Sequence, residues 1–504
     1  MSTSIIVSSI AVYFSFLLGI AWYTSRNASN NSYFLGNKAS PWFAVAFGMI
    51  GDSLSGVTFI SLPGTVGANQ FGYMQMVLGY LVGYFIIANV LLPLYYKLNL
   101  TSIYSYLNER FGMASQKTGS FFFLISRIIG AALRLYLAAG VIQLFVFDSL
   151  GVPFWVTVSI IIILMLIYTY KGGIKTLVWT DTFQSSLLLL GVILSITAIA
   201  RELNFSISDI FRSVNNSKYS QVFFWDWREK SFFFKQFFSG AFVAIVMTGL
   251  DQNMMQKNLS CRNLKEAQKN IYWFSIVMVI VNLFFVSLGA LLYIYSSAKG
   301  IAIPVHPGTG KIITDKLFPM LALEHLGSFA AIVFIIGLTA ATFSSADSVL
   351  TTLTTSFCID FIGTEQPGKF TEKQQTKLRH RVHLTFAFIL LLTILASAAL
   401  NETSVLDAIF TVAAYTYGPL LGLFTFGLFT NIKAKDKWVP LICFFPPVSC
   451  YFLNTYSQQL MGGYKFGYEL LMLNGLITFI GLLACGDYKN NVTATPNTDI
   501  NAQV

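Results

Sequence analysis

Apolar residues run along this chain in long blocks separated by short polar stretches, and nearly every block has the length of a membrane-crossing helix. A helix rises 1.5 Å per residue, so crossing a hydrocarbon core takes roughly 20 mostly apolar residues. That rule predicts about thirteen helices. They fall at 4–24, 41–66, 73–97, 119–147, 152–170, 175–200, 233–256, 270–296, 327–357, 382–400, 404–431, 437–453 and 467–485. The expected fold class is therefore an all-α polytopic membrane protein, with one transmembrane domain over 1–504.

Two blocks are broken from within. Gly51-Asp52-Ser53-Leu54-Ser55-Gly56 interrupts the second helix, and Met247-Thr248-Gly249-Leu250-Asp251-Gln252 interrupts the seventh. Irregular backbone and polar side chains persist at membrane depth only where they face protein or a water-filled cavity. Helices two to six (41–200) and seven to eleven (233–431) form two groups of five, and an odd number inverts the second group relative to the first. Broken helices at matching places in two inverted halves point to a transporter with its site near the membrane midplane. Helix 4–24 is then an extra N-terminal element and 437–485 holds two extra C-terminal ones. The Thr- and Asn-rich tail, 487–504, is expected to be disordered and cytosolic.

Charge supports the same frame. Loops bearing Arg26 and Lys38, then Lys97, Arg110 and Lys117, then Lys171 and Lys175, fall on one side of the membrane if there are thirteen spans. So do those with Lys257, Arg262, Lys265 and Lys269, with Lys369, Lys373, Lys377, Arg379 and Arg381, and with Lys433, Lys435 and Lys437. The loops near 67–72, 148–151 and 401–403 carry no Lys or Arg. The positive-inside rule then puts the N-terminus outside and the C-terminus in the cytoplasm; the expected location is a bacterial-type inner membrane. Met1 to Ile10 has no basic residue, so the first block is expected to be a retained span and not a signal peptide.

Composition narrows the function. The chain is 55% hydrophobic and 11% charged, against roughly 25% charged in soluble domains. Its formal charge of +10 is spread over loops, which argues against nucleic-acid binding. Five cysteines (Cys261, Cys358, Cys443, Cys450, Cys485) suggest packed, reduced thiols and no disulfide framework. His306-Pro307-Gly308-Thr309-Gly310-Lys311 lacks P-loop spacing, so ATP-driven pumping has no support. The histidines His306, His325, His380 and His383 read as loop residues without metal-ligand clustering, and no Ser/His/Asp set falls at one depth. An enzyme is not expected, nor an organic cofactor or an obligate protein partner.

What remains is ion and solute chemistry. In 327–357, Ala341, Ser344, Ser345, Ser348, Thr352 and Thr355 share one helical face. Hydroxyls and free carbonyls are hard oxygen ligands that suit a small alkali cation, so the stripe reads as a cation site and exit path. Its bland alternative is close helix packing by small residues. Asp347 lies in the middle of that stripe, and an intramembrane carboxylate is a functional candidate by default. Asp181 is either a second cation ligand or gating contact, or a partner of its own helix dipole. Arg134, mid-span, costs at least ~2.5–3.5 kcal/mol on insertion scales. It either clamps a substrate carboxylate with two parallel hydrogen bonds or forms a permanent pair with Asp52 or Asp251. Arg127, one heptad earlier, is expected to snorkel to the cytoplasmic interface.

Gly172-Gly173…Trp179-Thr180-Asp181-Thr182-Phe183-Gln184, the Ser344-Ser345 helix and Asp251-Gln252…Gln256 together resemble the sodium:solute symporter family, over roughly residues 4–485. The resemblance implies a LeuT-type five-plus-five inverted repeat with one extra N-terminal and two extra C-terminal helices. It implies a co-transported sodium ion held by carbonyls of Gly51, Leu54 and Ala341 and hydroxyls of Ser344 and Ser345. Sialic acid symporters of the family imply a second sodium at Asp181, Ser345, Asp347 and Ser348; here Asp347 stands where they carry Ser, which adds charge. They also imply that Arg134 binds the sialic acid carboxylate, with Ser53, Ser55, Thr58 and Gln75 lining the same cavity. Asp251 and Asn253 occupy a region that sugar transporters of the family use. The expectation is a sodium-coupled symporter importing a sialic acid or related sugar acid. A neutral sugar or polyol is the alternative substrate, and a non-transporting receptor on the same scaffold the alternative class.

Overall fold

The computed structural model describes residues 3–26, 30–306, 308, 310, 312–366, 368–398 and 405–488. The predicted tail after 488, the 401–403 loop, the last two residues of the predicted 382–400 helix and Pro307, Thr309 and Lys311 lie outside the described residues.

Among the described residues, eight helices are long and apolar enough to cross a membrane: Ile6–Thr24, Tyr73–Lys97, Met113–Ile142, Gly172–Glu202, Leu264–Lys299, Gly327–Ile362, Glu372–Ser397 and Asp436–Leu460. Three further spans are bent pairs: Trp42–Leu54 with Gly56–Asn69 (55°), Phe233–Gly249 with Gln252–Leu259 (62°), and Val405–Thr416 with Gly418–Phe429 (44°). Phe154–Tyr170 and Leu470–Ala484 are shorter apolar helices. These elements occupy every range that the apolar blocks predict. The first two breaks fall where the polar interruptions lie; the third, at Tyr417, carried no such polar signal.

The boundaries follow local chemistry. Pro41, extended at ψ 134°, starts the first half-helix, and Ser55 separates it from the second. Gly173 divides Phe154–Tyr170 from Gly172–Glu202 in a left-handed conformation (φ 55°), where a Cβ would lie 2.5 Å from the Tyr33 backbone. Thr371 and Gln374 form a capping box that starts a helix at Glu372, ten residues before the predicted 382. Lys373, Lys377, Arg379 and Arg381 therefore lie on helical turns and not in a loop, and so does His383. Hydropathy missed those turns because they are helical but polar.

Helix Gly327–Ile362 is the central element: 83% of its most apolar window is buried, against 28% for Ile6–Thr24 and 22% for Asp436–Leu460 at the periphery. It packs chiefly on Gly172–Glu202, while Tyr73–Ile86 packs on Phe233–Ala244. The second pair touches backbone to backbone. A Cβ at Gly79 would collide with the Phe237 carbonyl, and one at Gly240 with the Met76 carbonyl.

Candidate functional site

The two midplane breaks and the central helix meet. Trp42–Leu54 ends beside Ser344 and Ser185: a Cβ on Gly51 would lie 2.6 Å from Ser344 Oγ and 2.5 Å from Ser185 Oγ. The Gly51 amide donates to Ser185 Oγ at 2.9 Å, and Ser55 N closes onto the Gly51 carbonyl at 3.0 Å. A carbonyl keeps a second lone pair when it accepts one bond, and the last carbonyls of a helix lack intrahelical donors. Gly51, Leu54, Ala341, Ser344 and Ser345 are all buried, with Ser345 Oγ bonded to the Thr342 carbonyl at 3.1 Å.

Asp181 lies directly beside them. It accepts from Ser344 Oγ (3.3 Å, Oδ1) and Ser348 Oγ (3.2 Å, Oδ2), so the structure brings both predicted ion-ligand sets into one cluster. Among the described residues neither oxygen of fully buried Asp347 makes a well-formed hydrogen bond; the Tyr168 hydroxyl, likewise without one, is the donor next to it.

Sequence reasoning placed Lys257 in a cytoplasmic loop, and the structure corrects this. Lys257 lies on the half-helix Gln252–Leu259, is fully buried, and ties Asp52 Oδ2 and Asp181 Oδ2 at 2.5 Å each. The legible signal was its i, i+4 spacing from Asn253, which puts both on one helical face. Ser185, one turn beyond Asp181, was also missed.

A cavity opens alongside, lined by Asp52, Ser53, Ser55, Thr58, Arg127 and Arg134, with apolar walls from Val243, Met247, Met254, Met278 and Phe410. Tyr73 and Leu406 are shared with a wider vestibule lined by Asn69, Lys230, Gln236 and Asp407. Ser53, Ser55 and Thr58 line this cavity together with Arg134. Three other candidates do not. Gln75 holds the Ser231 carbonyl (2.9 Å) and the Phe224 amide (3.2 Å), bracing the vestibule. Asn253 bridges Asp52 (3.1 Å) and Thr352 (2.9 Å). Asp251 caps its half-helix at Met254 N (3.2 Å) and is held by Tyr417 Oη and Arg127.

That last contact overturns the snorkelling expectation for Arg127: its Nε is 2.6 Å from Asp251 Oδ2, in the interior. It also removes the permanent-pair alternative for Arg134. Asp251 belongs to Arg127 and Asp52 to Lys257, while buried Arg134 faces the cavity with no salt-bridge partner among the described residues and an unmatched Nε. His383 is no loop residue either; it is buried among Thr169, Thr354 and Tyr33.

The sodium:solute symporter family model matches residues 33–435. This chain belongs to the sodium:solute symporter family. Among its relatives, the sodium/sialic acid symporter of Aliivibrio fischeri is 25% identical over 95% of this chain and 92% of its own length. That of Proteus mirabilis is 25% identical over 84% of each. The sodium-coupled monocarboxylate transporter 1 of Mus musculus is 24% identical over 84% of this symporter and 67% of the relative. A Na+-coupled sialic acid symporter solved in a substrate-bound outward-open state superposes with a TM-score of 0.80 at 21% identity, covering 95% of this chain and 97% of that one. The nucleobase-cation-symport-1 transporter Mhp1 gives 0.51 at 12% identity, covering 91% and 94%. The symporter therefore has the LeuT-type transporter fold and is a multi-pass membrane protein.

Proposed function

We propose that this symporter imports a small carboxylate-bearing solute, a sialic acid or related sugar acid, on the inward sodium gradient. One observation carries the substrate class: Arg134 is buried, cavity-facing and without a salt-bridged acid among the described residues. A guanidinium held that way is set to take a carboxylate through two parallel charge-assisted bonds. The hydroxyls of Ser53, Ser55 and Thr58 then meet the sugar, and the methionine wall covers its apolar face.

One sodium lies at Gly51, Leu54, Ala341, Ser344 and Ser345, and a second at Asp181, Asp347 and Ser348. The first ties the break in the second helix to the central helix, which favours the state whose cavity is open. Sodium and substrate raise each other's affinity by the same factor. The vestibule runs toward Lys230, Ser231 and Gly467, on the face that charge patterning assigns to the outside. This agrees with an N-terminus outside, a cytoplasmic C-terminus and a bacterial inner membrane.

The test is uptake of labelled N-acetylneuraminate into proteoliposomes under an inward sodium gradient, against an equal potassium gradient. Sodium-dependent accumulation is expected. Accumulation of a neutral sugar or polyol with none of the acid would overturn the carboxylate assignment, and bound substrate without flux would favour a receptor.

A further inference from the structure

Lys257 belongs to two sites at once. Its ammonium is fully buried and lies 2.5 Å from Oδ2 of Asp52 and 2.5 Å from Oδ2 of Asp181. Asp181 is the acid that receives Ser344 and Ser348, residues of the proposed ion sites. Asp52 lines the cavity that Arg134 faces, and its Oδ1 is buried with no hydrogen-bond donor. The two acids stand on different elements, Trp42–Leu54 and Gly172–Glu202, and the lysine stands on the second broken helix.

Charge balance marks the cluster as incomplete. Asp52, Asp181 and Asp347 lie within electrostatic range of one another and of a single ammonium. Three acids around one ammonium in a water-poor interior must either hold a proton or draw in further positive charge, because unpaired buried charge is strongly disfavoured. A cation arriving beside Ser344 and Ser348 meets an Asp181 oxygen already shared with Lys257. Two like charges a few ångströms apart repel strongly where water does not screen them, while Asp52, which also holds Asn253 through Oδ2, keeps Oδ1 open to take more of the ammonium.

We propose that Lys257 is a tethered cation that shares Asp181 with the transported sodium, and that sodium binding moves its ammonium wholly onto Asp52. This rests on the sodium-coupled reading above. The consequence reaches the substrate directly. With Lys257 on Asp52, the negative charge facing the cavity is neutralised, and an anionic solute meets Arg134 without opposition. Conversely, an anion in the cavity draws the ammonium toward Asp52 and frees Asp181 for sodium. One side chain then carries the reciprocal coupling that symport requires, through a contact between the two broken helices.

The experiment uses sodium alone as the probe, so it does not depend on the substrate. Purified full-length protein in detergent is titrated with sodium chloride at constant ionic strength against potassium chloride, and thermal stability is recorded. Wild type is expected to show a sodium-specific rise, and Asp181→Asn to lose the part assigned to this site. Removing the competing charge in Lys257→Gln is expected to lower the sodium half-saturation about tenfold, while Asp52→Asn, which leaves the ammonium on Asp181 alone, raises it about tenfold. A purely structural brace predicts weaker sodium binding in both variants. Lys257→Gln that is folded yet unchanged or weaker in sodium binding would overturn the proposal, as would an unchanged Asp52→Asn. The charge-neutral pair Asp52→Asn with Lys257→Gln guards against misfolding, and it too must bind sodium more tightly than wild type. A wild type with no sodium-specific response would overturn the symporter reading itself, an outcome separate from the others.

Discussion

Arg127 Nε lies 2.6 Å from Asp251 Oδ2, and this pair is what leaves Arg134, seven residues along the same helix, free to serve the cavity. Both guanidiniums face inward from Met113–Ile142 because residues seven apart share a helical face. Only one of them is neutralised. The helix thus presents a structural arginine and a binding arginine two turns apart, and the two respond to mutation in different ways.

Arg134→Ala is expected to leave the protein folded and to weaken anion binding roughly thirtyfold or more, the loss of about 2 kcal/mol that truncating one partner of a buried charge pair entails. Equilibrium binding of N-acetylneuraminate beside a melting curve checks this. Unchanged binding in the folded variant would remove the clamp.

Arg127→Ala is expected to act on stability first. It leaves Asp251 buried without its cation, and breaking a buried pair costs about 3–5 kcal/mol. The melting temperature should fall well below that of Arg134→Ala, and Arg127→Ala with Asp251→Asn should recover part of the loss. Equal melting temperatures for the two single arginine variants would contradict this division.

Ser344→Ala with Ser345→Ala is expected to abolish sodium dependence, since it removes both hydroxyls of the main ion site and one donor to Asp181. Uptake measured over a sodium series should become flat. A preserved sodium response would move the ion elsewhere.

Asp347→Asn is expected to lower the Hill coefficient for sodium from about two to about one, because it deletes the charge of the second site while the first remains and stays coupled to substrate. The donor next to it is the Tyr168 hydroxyl, which an amide oxygen can still accept, so folding should survive. A Hill coefficient that does not move would exclude Asp347 from the ion count.

Gly240→Ala is expected to prevent folding or lower the melting temperature sharply. The added methyl would meet the Met76 carbonyl, an atom of a packed helix backbone that cannot rotate away. Gly19→Ala, where a Cβ meets nothing within 4 Å, is the matched control.

The helices, their order, the two polar breaks and the Ser/Thr face were legible from the chain alone. Hydrocarbon thickness sets span length and helical periodicity sets faces, and both are local properties. Gly51, Ser344 and Asp181 were legible as ion-site candidates for the same reason, since each puts polar atoms where lipid would exclude them. Partner choice was decided only by the tertiary structure. From spacing, Arg127 reads as an interfacial residue, Lys257 as a loop charge, and Arg134 as free or paired, because a charge near the end of an apolar block can snorkel outward or turn in. Packing resolved all three: the second broken helix turns Asp251 toward Arg127 and carries Lys257 between Asp52 and Asp181. The same packing sets Asn253 and Asp251 in bracing contacts and Gln75 in the wall of the vestibule. Pairing energy depends on distances between residues far apart in the chain, and no local pattern encodes those distances.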